Sequence, residues 1–181
     1  MNDQLNVLRL VVERFKNIGI PYMLTGSTAM NFYAVPRMTR DIDIIAEISL
    51  KDVNGFYDVF RNDFYIEPDD ISNAVKTCGS FNIIHNETLV KVDVLIRKHE
   101  AYRKLEFGRR KKQDISGFTM QVVSPEDLIL SKLCWTKACE SETQIKDVAN
   151  IMGSVKDLDR KYMTEWAGRL GVADLLKKIM R

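Results

Sequence analysis

Histidine and cysteine are scarce in this chain, and their scarcity excludes several classes of protein. Its two histidines, His85 and His99, form no ligand cluster, and the three cysteines, Cys78, Cys134 and Cys139, lack the paired spacing of a metal site. An odd cysteine count also argues against a disulfide framework and points to a reducing cytoplasm. No apolar run approaches the roughly 18 residues of a membrane span, and the N-terminus lacks the basic-then-apolar pattern of an export signal. Internal repeats and low-complexity linkers are absent as well. A net charge of +2 with a pI near 8.4 is too mild to imply nucleic acid by itself. With 181 residues and 45% apolar content the chain can bury a real core, so a soluble cytoplasmic domain with a small helical appendage is expected.

The most informative stretch runs from Gly26 to Asp43. Before it, Pro21-Tyr-Met-Leu-Thr25 reads as a short buried strand, and Ser27-Thr28 can cap a helix running to about Val35, where Pro36 ends it. A strand that delivers the chain to a helix N-terminus offers unpaired backbone N–H groups and partial positive charge, which suits a phosphate. Asp41-Ile-Asp-Ile-Ile-Ala46 follows, and a period of two puts Asp41 and Asp43 on one strand face with Ile42, Ile44 and Ala46 on the other. Like charges side by side on a strand are unfavourable. A hard, oxygen-seeking divalent cation gives a reason to tolerate them.

Along the chain, Leu5, Leu8, Val11, Val12, Phe15 and Ile18 recur at helical spacing, as do Val53, Phe56, Tyr57, Val59 and Phe60. Phe64-Tyr-Ile66 is a short apolar strand, and Asp69 and Asp70 suit the first turn of a short helix over 68–76. Phe81–His85 and Leu89–Ile96 read as a hairpin about Asn86-Glu87-Thr88. Aspartate is a poor strand residue, so Asp93 in the second arm is either solvent-facing or a third carboxylate of the same metal site. A strand over 117–123 completes a mixed, partly antiparallel sheet with strands near 21, 42, 65, 82, 92 and 120. Everything after Ser124-Pro-Glu-Asp127, a well-signalled helix start, reads as helical. The fold class is therefore α/β (α+β), with a core over 1–123 and a helical segment over 124–181 folded back on it.

Two further features bear on charge. From Arg97 to Lys112 eight basic residues, Arg97, Lys98, Arg103, Lys104, Arg109, Arg110, Lys111 and Lys112, face two glutamates. This is either a solvated helix and edge strand or a patch for a polyanion such as RNA, with Tyr102 and Phe107 available for stacking. In the helix after Ser124, Lys132 shares a stripe with Ile129, Leu133 and Thr136. Its ammonium either snorkels over apolar surface or meets a phosphate. Asp147 is expected on the polar side of the next helix, three residues from Gln144.

Gly26-Ser27, then Thr39-Arg-Asp-Ile-Asp43, then Asp93 on a later strand, resembles the signature of the nucleotidyltransferase (DNA polymerase β-like) superfamily. Ser124-Pro-Glu-Asp-Leu-Ile-Leu-Ser-Lys-Leu133, Ser141-Glu-Thr-Gln144, Asp147 and the run from Trp166 to Leu176 are similar to small nucleotidyltransferase-like proteins related to the AbiEii/MenT toxins. The resemblance covers nearly the full chain, although the long C-terminal extensions that bind acceptors in larger members have no counterpart in this sequence. It implies nucleotidyl transfer from a nucleoside triphosphate such as ATP to an acceptor hydroxyl on RNA, protein or a small molecule, with release of pyrophosphate. It further implies that Asp41, Asp43 and Asp93 hold two Mg²⁺ ions, that Gly26, Ser27 and Thr39 bind the nucleotide, and that Lys132 neutralises the triphosphate. An antitoxin-like protein partner is implied in the same way. The alternatives are a non-catalytic nucleotide-binding or interaction module and a metal-dependent phosphohydrolase.

Overall fold

Alternation in the strand of two aspartates sorts its side chains between a buried face and an accessible one, and the sheet is built around that division. The computed structural model describes residues 2–115 and 117–180. Its strands are β1 (Tyr22–Thr25), β2 (Asp41–Ala46), β3 (Phe64–Tyr65), β4 (Ser80–His85), β5 (Lys91–Ile96), β6 (Lys111–Ile115) and β7 (Phe118–Val122). Among the described residues these form one seven-stranded mixed sheet in the order β3-β4-β5-β2-β1-β7-β6. β2 is antiparallel to β1 and parallel to β5, which sets Thr25 opposite Asp43 and Asp43 opposite Asp93. Ile42, Ile44 and Ala46 of β2 and Val92, Val94 and Ile96 of β5 are all buried.

The helices are α1 (Asn2–Asn17), α2 (Gly26–Met30), α3 (Val53–Phe60), α4 (Pro68–Thr77), α5 (Ala101–Gly108), α6 (Pro125–Cys139), α7 (Glu142–Ser154), α8 (Arg160–Leu170) and α9 (Ala173–Ile179). An aromatic cluster ties α1 and α3 to the sheet: the Phe15 ring lies 5.5 Å from Tyr22 and 5.4 Å from Phe56, which in turn meets Phe81 at 5.5 Å. Edge-to-face and tilted pairs at these distances add to the gain from burial. The core runs on without a break through Leu128, Ile129 and Leu133 of α6 into Val148, Ile151, Met163, Ala167 and Leu176. The helices after residue 124 thus share one core with the sheet.

The strand β6 is the element that the apolar pattern does not reveal. Lys-Lys-Gln-Asp-Ile has no buried residue and pairs only with β7, at the edge of the sheet, where lysines discourage further pairing. The basic run therefore divides between α5 and this edge strand. Tyr102 and Phe107 are buried rather than available for stacking, because they form the inner face of α5.

The start of α6 carries a polar hub. Ser124 is the N-cap, accepting the Asp127 N–H at 3.1 Å, and Pro125 takes the first helical position. Asp127 is fully buried. Its carboxylate accepts from the Ser124 hydroxyl at 2.7 Å, the Tyr162 hydroxyl at 2.5 Å and Arg109 Nε at 2.9 Å. The Arg109 guanidinium also stacks 3.8 Å from the centre of the Tyr162 ring, so one side chain links α5, α6 and α8. Removing the half-buried Arg109 leaves the buried Asp127 without its cation. Arg109→Ala should therefore lower the unfolding free energy by about 3 kcal/mol in a urea titration, whereas Lys112→Ala on the exposed edge strand should change it by less than about 0.5 kcal/mol. Equal, small effects would show that Arg109 is a surface charge after all.

Candidate functional site

The site begins where β1 passes into α2. Gly26 has φ +66°, a conformation open to glycine, and a Cβ there would lie 2.0 Å from Asp43 Oδ2. The residue must be glycine on both counts, and the contact brings the backbone of the turn against the carboxylate. Thr28 donates its hydroxyl to the Asp41 carbonyl at 3.0 Å and fixes α2 to β2. The helix is shorter than its sequence suggests. Thr25, not Ser27, stands at the N-cap, without a side-chain cap, and the helix ends at Met30. Asn31 explains the early end: its amide donates to the Arg37 carbonyl and accepts the Arg37 N–H, both at 3.0 Å, closing a loop that competes with the helix.

Asp41 and Asp43 share one face of β2, and Asp93 lies beside Asp43 in register. Burial raises the Asp43 pKa to about 6, with Asp93 and Asp41 adding to the rise while Lys132 and Lys91 oppose it. Lys91, opposite Asp41 in the register, places its ammonium 3.0 Å from Asp93 Oδ2. Among the described residues no group of three His, Cys, Asp or Glu side chains is arranged to hold a metal ion. The donor chemistry nonetheless fits a hard divalent cation. Asp43 is costly to ionise beside its neighbours, the donors are all oxygens, and an internal cation already balances one of them. For Asp93 to serve such a cation, Lys91 must give way.

Across from the carboxylates, Lys132 is neither snorkelling nor exposed. It is buried, with Nζ 2.7 Å from Asp147 Oδ2 and 2.9 Å from Gln144 Oε1. Asp147 is buried too, not on a polar face as its neighbourhood in the sequence suggests, and Arg37 grips it with Nε at 2.9 Å and Nη2 at 3.0 Å. The same Nη2 lies 2.5 Å from Ser27 Oγ. Burial would raise the Asp147 pKa, but hydrogen bonds from Arg37 and Lys132 outweigh it and hold the carboxyl below its ordinary range. Burial draws the Lys132 pKa down, against the pull of Asp147. Two cations thus share one anion next to Ser27. Arg37 is a residue the sequence reading passes over. The burial of Asp147 could have been found from its spacing of four to the buried Ile151.

These residues open onto a cleft of about 1040 Å³. Gly26, Ser27, Asp43, Lys132 and Gln144 line one end, and Ile45, Leu95 and Leu128 supply an apolar lining. Arg97, Lys98, Arg103 and Glu106 border it as well, with Trp135 on α6. Asp41 and Asp93 flank Asp43 but are not part of this lining, and Thr39 only approaches the Asp41 carbonyl, at 3.5 Å. The basic run does not form one patch. Arg97 pairs with Glu47, Arg103 with Glu106 and Ser131, Arg109 with Asp127, and Arg110 with the Phe107 carbonyl. Lys111 and Lys112 sit on β6, three strands from β2 in the sheet order, roughly 14 Å away at the usual strand spacing.

The Asp43 shift has a signed consequence for stability. Its folded pKa of about 6 exceeds the ordinary aspartate value of 3.8, so the folded state holds the proton more tightly. Stability contributed by this group falls as pH rises between those values and stays lost above them. In metal-free buffer at pH 7.5, Asp43→Asn should therefore be more stable than wild type by about 1 to 3 kcal/mol, with the gain gone near pH 4. Thermal melts at the two pH values check this, and a lower midpoint for the variant at pH 7.5 would contradict it.

No protein-family model matches the chain, and no curated protein sequence matches it. Solved structures do. An antigenic nucleotidyltransferase-like protein from Paracoccidioides brasiliensis superposes with a TM-score of 0.60 at 15% identity, over 99% of this chain and 92% of its own. The antibiotic-resistance factor ANT(2″)-Ia gives a TM-score of 0.61 at 14% identity over 98% and 97% of the two chains. The lincosamide antibiotic adenylyltransferase LnuA, lincomycin-bound, gives 0.56 at 11% over 86% and 98%. At such identities the likeness is one of architecture: the chain has a mixed α/β fold, a seven-stranded sheet flanked by helices, of the kind found in nucleotidyltransferase-like proteins.

Proposed function

We propose that this protein is a metal-dependent nucleotidyltransferase, moving a nucleoside monophosphate from a nucleoside triphosphate to an acceptor hydroxyl. The observation that carries the reading is the meeting, in one cleft, of the Gly26-Ser27 turn, the half-buried Asp43 and the Lys132 ammonium. In this reading residues 1–123 supply the catalytic core and residues 124–181 the lid of helices that brings Lys132 over it. The Gly26 and Ser27 amides and the Ser27 hydroxyl hold the β and γ phosphates, with Thr39 at the margin. Lys132 and Arg37, both partly neutralised by Asp147, complete the cationic seat.

The acceptor oxygen attacks the α phosphorus, forming the new P–O bond. The bond from that phosphorus to the bridging oxygen breaks, and pyrophosphate leaves with the electron pair. Asp93, in register with Asp43, orients the hydroxyl and accepts its proton. Asp41, Asp43 and Asp93 are the residues that would hold two Mg²⁺ ions, which when bound balance the charge on the α phosphate and the leaving group. Positioning supplies most of what remains.

The acceptor is read from the cleft. With Arg97, Arg103 and Arg109 engaged by carboxylates and Lys111 and Lys112 several strands away, the interior favours a compact hydroxyl compound over an RNA 3′ end. ANT(2″)-Ia, a protein of similar fold, has been seen in complex with adenylyl-2″-tobramycin. The kinship with AbiEii/MenT toxins, and an antitoxin-like partner with it, rests on the sequence motifs alone. One observation favours a second reading, nucleotide binding without turnover: Lys91 holds Asp93 in an ion pair.

Incubation with Mg²⁺ and each labelled nucleoside triphosphate, with aminoglycosides, total RNA or protein lysate as acceptor, separates these readings. Label should appear on an acceptor and be lost in Asp43→Asn and, with a loss of roughly a hundredfold or more, in Lys132→Gln. Binding without transfer to any acceptor would favour the second reading, and released phosphate alone would mean hydrolysis. If RNA is the acceptor, log affinity should fall with log salt by roughly 0.7 per phosphate contacted. A compact acceptor should show almost no slope, and reversing Lys111 and Lys112 to Glu should leave transfer unchanged.

A further inference from the structure

One side chain on the cleft wall is left without a role by this chemistry. Leu128, Ser131, Lys132 and Trp135 recur at spacings of three and four on α6 and present one face to the cleft. Leu128 is buried in the core, Ser131 donates to Glu106 at 2.6 Å and Lys132 is paired with Asp147. Trp135 has no such engagement and is 60% exposed. The other tryptophan, Trp166, is packed in the usual way, 5.1 Å from the Tyr102 ring and 6.4 Å from Tyr162. A large aromatic left open to water on the wall of the cleft offers a flat face to a ligand there.

Helical side chains lean toward the N-terminus, and Trp135 lies one turn after Ser131 and Lys132 on the same face of α6. Three residues along the helix separate it from Lys132, about 4.5 Å of rise on the same face. Ile45 and Leu95, on the same strand faces as Asp43 and Asp93, complete an apolar lining to the same cleft. Two of the arginines nearby are already balanced, Arg103 by Glu106 and Arg97 by Glu47, while Lys98 and Glu100 also border the cleft. The occupant that fits is a flat, uncharged ring joined to a chain of phosphates.

We propose that Trp135 is the platform on which the base of the nucleoside triphosphate stacks. The inference rests on the nucleotidyltransferase reading above and names the part of the nucleotide that this wall receives. Every base has a π face, so such a platform tolerates all four, but a purine covers more of the indole than a pyrimidine does. ATP and GTP should therefore bind more tightly than CTP and UTP.

The test is calorimetric titration of wild type, Trp135→Leu and Trp135→Phe with inorganic tripolyphosphate, ATP and CTP, each with Mg²⁺. Tripolyphosphate should bind the three proteins equally, since its contacts lie at Ser27 and Lys132. ATP should bind wild type better than CTP does, lose roughly five- to a hundredfold in affinity in Trp135→Leu, and lose much less in Trp135→Phe. ATP should also quench wild-type tryptophan emission, and Trp135→Leu should abolish that quenching, while tripolyphosphate leaves emission unchanged. Because the side chain is exposed, Trp135→Leu should melt with wild type. Equal ATP affinity in wild type and Trp135→Leu, with tripolyphosphate still bound, overturns the stacking alone. If neither tripolyphosphate nor ATP binds wild type, the nucleotidyltransferase reading fails and the stacking falls with it.

Discussion

Two cations converge on one buried carboxylate, and the geometry of the cleft depends on that arrangement. Asp147 of α7 receives Lys132 from α6 and Arg37 from the loop before β2, while Arg37 also reaches Ser27 at the start of α2. Four segments distant in sequence are thereby held at one point. Buried ion pairs add little net stability, because desolvation offsets most of the attraction, but an unpaired member is heavily penalised. The network therefore acts on geometry: no member can leave unless another charge takes its place. A triphosphate is a group that could take it, since either cation can turn from Asp147 to phosphate without being left bare.

The carboxylate side of the cleft obeys the complementary rule. Gly26 allows the turn to touch Asp43, and the parallel register sets Asp93 alongside, so negative charge is concentrated where the sheet is half-buried. The protein answers this in part with Lys91 and in part by raising the Asp43 pKa to about 6. A divalent cation would answer it more fully. Asp43 and Lys132 both open onto the same cleft of about 1040 Å³.

Much of this was legible in the sequence, and the failures have identifiable causes. The alternation in Asp41–Ala46 and Lys91–Ile96 predicted both strands and their faces, because a period of two is unambiguous when one face is wholly apolar. Lys132 stood out because it interrupted an apolar stripe, and burial of its side chain follows from that position. β6 was offered only as one of two readings of the basic run and had no place among the expected sheet strands, because Lys-Lys-Gln-Asp-Ile buries nothing and pairing with β7 alone makes it a strand. The length of α2 was misjudged because Asn31 binds the Arg37 backbone, a contact that helix propensity does not reveal. Arg37 itself was passed over since its partners, Ser27 and Asp147, lie 10 and 110 residues away. The basic run left a polyanion patch open as a reading because most of its counter-charges, Glu47, Asp127 and Glu126, come from other elements.

The most direct test of the account is a crystal structure with a non-hydrolysable nucleoside triphosphate analogue and Mn²⁺, whose anomalous signal locates the metal. The account predicts Mn²⁺ between Asp41, Asp43 and Asp93 with Lys91 displaced from Asp93. It also predicts the triphosphate on the Gly26-Ser27 turn within hydrogen-bond reach of Lys132 and Arg37. Nucleotide bound elsewhere, or bound with Lys91 still on Asp93 and no metal beside Asp43, would contradict it.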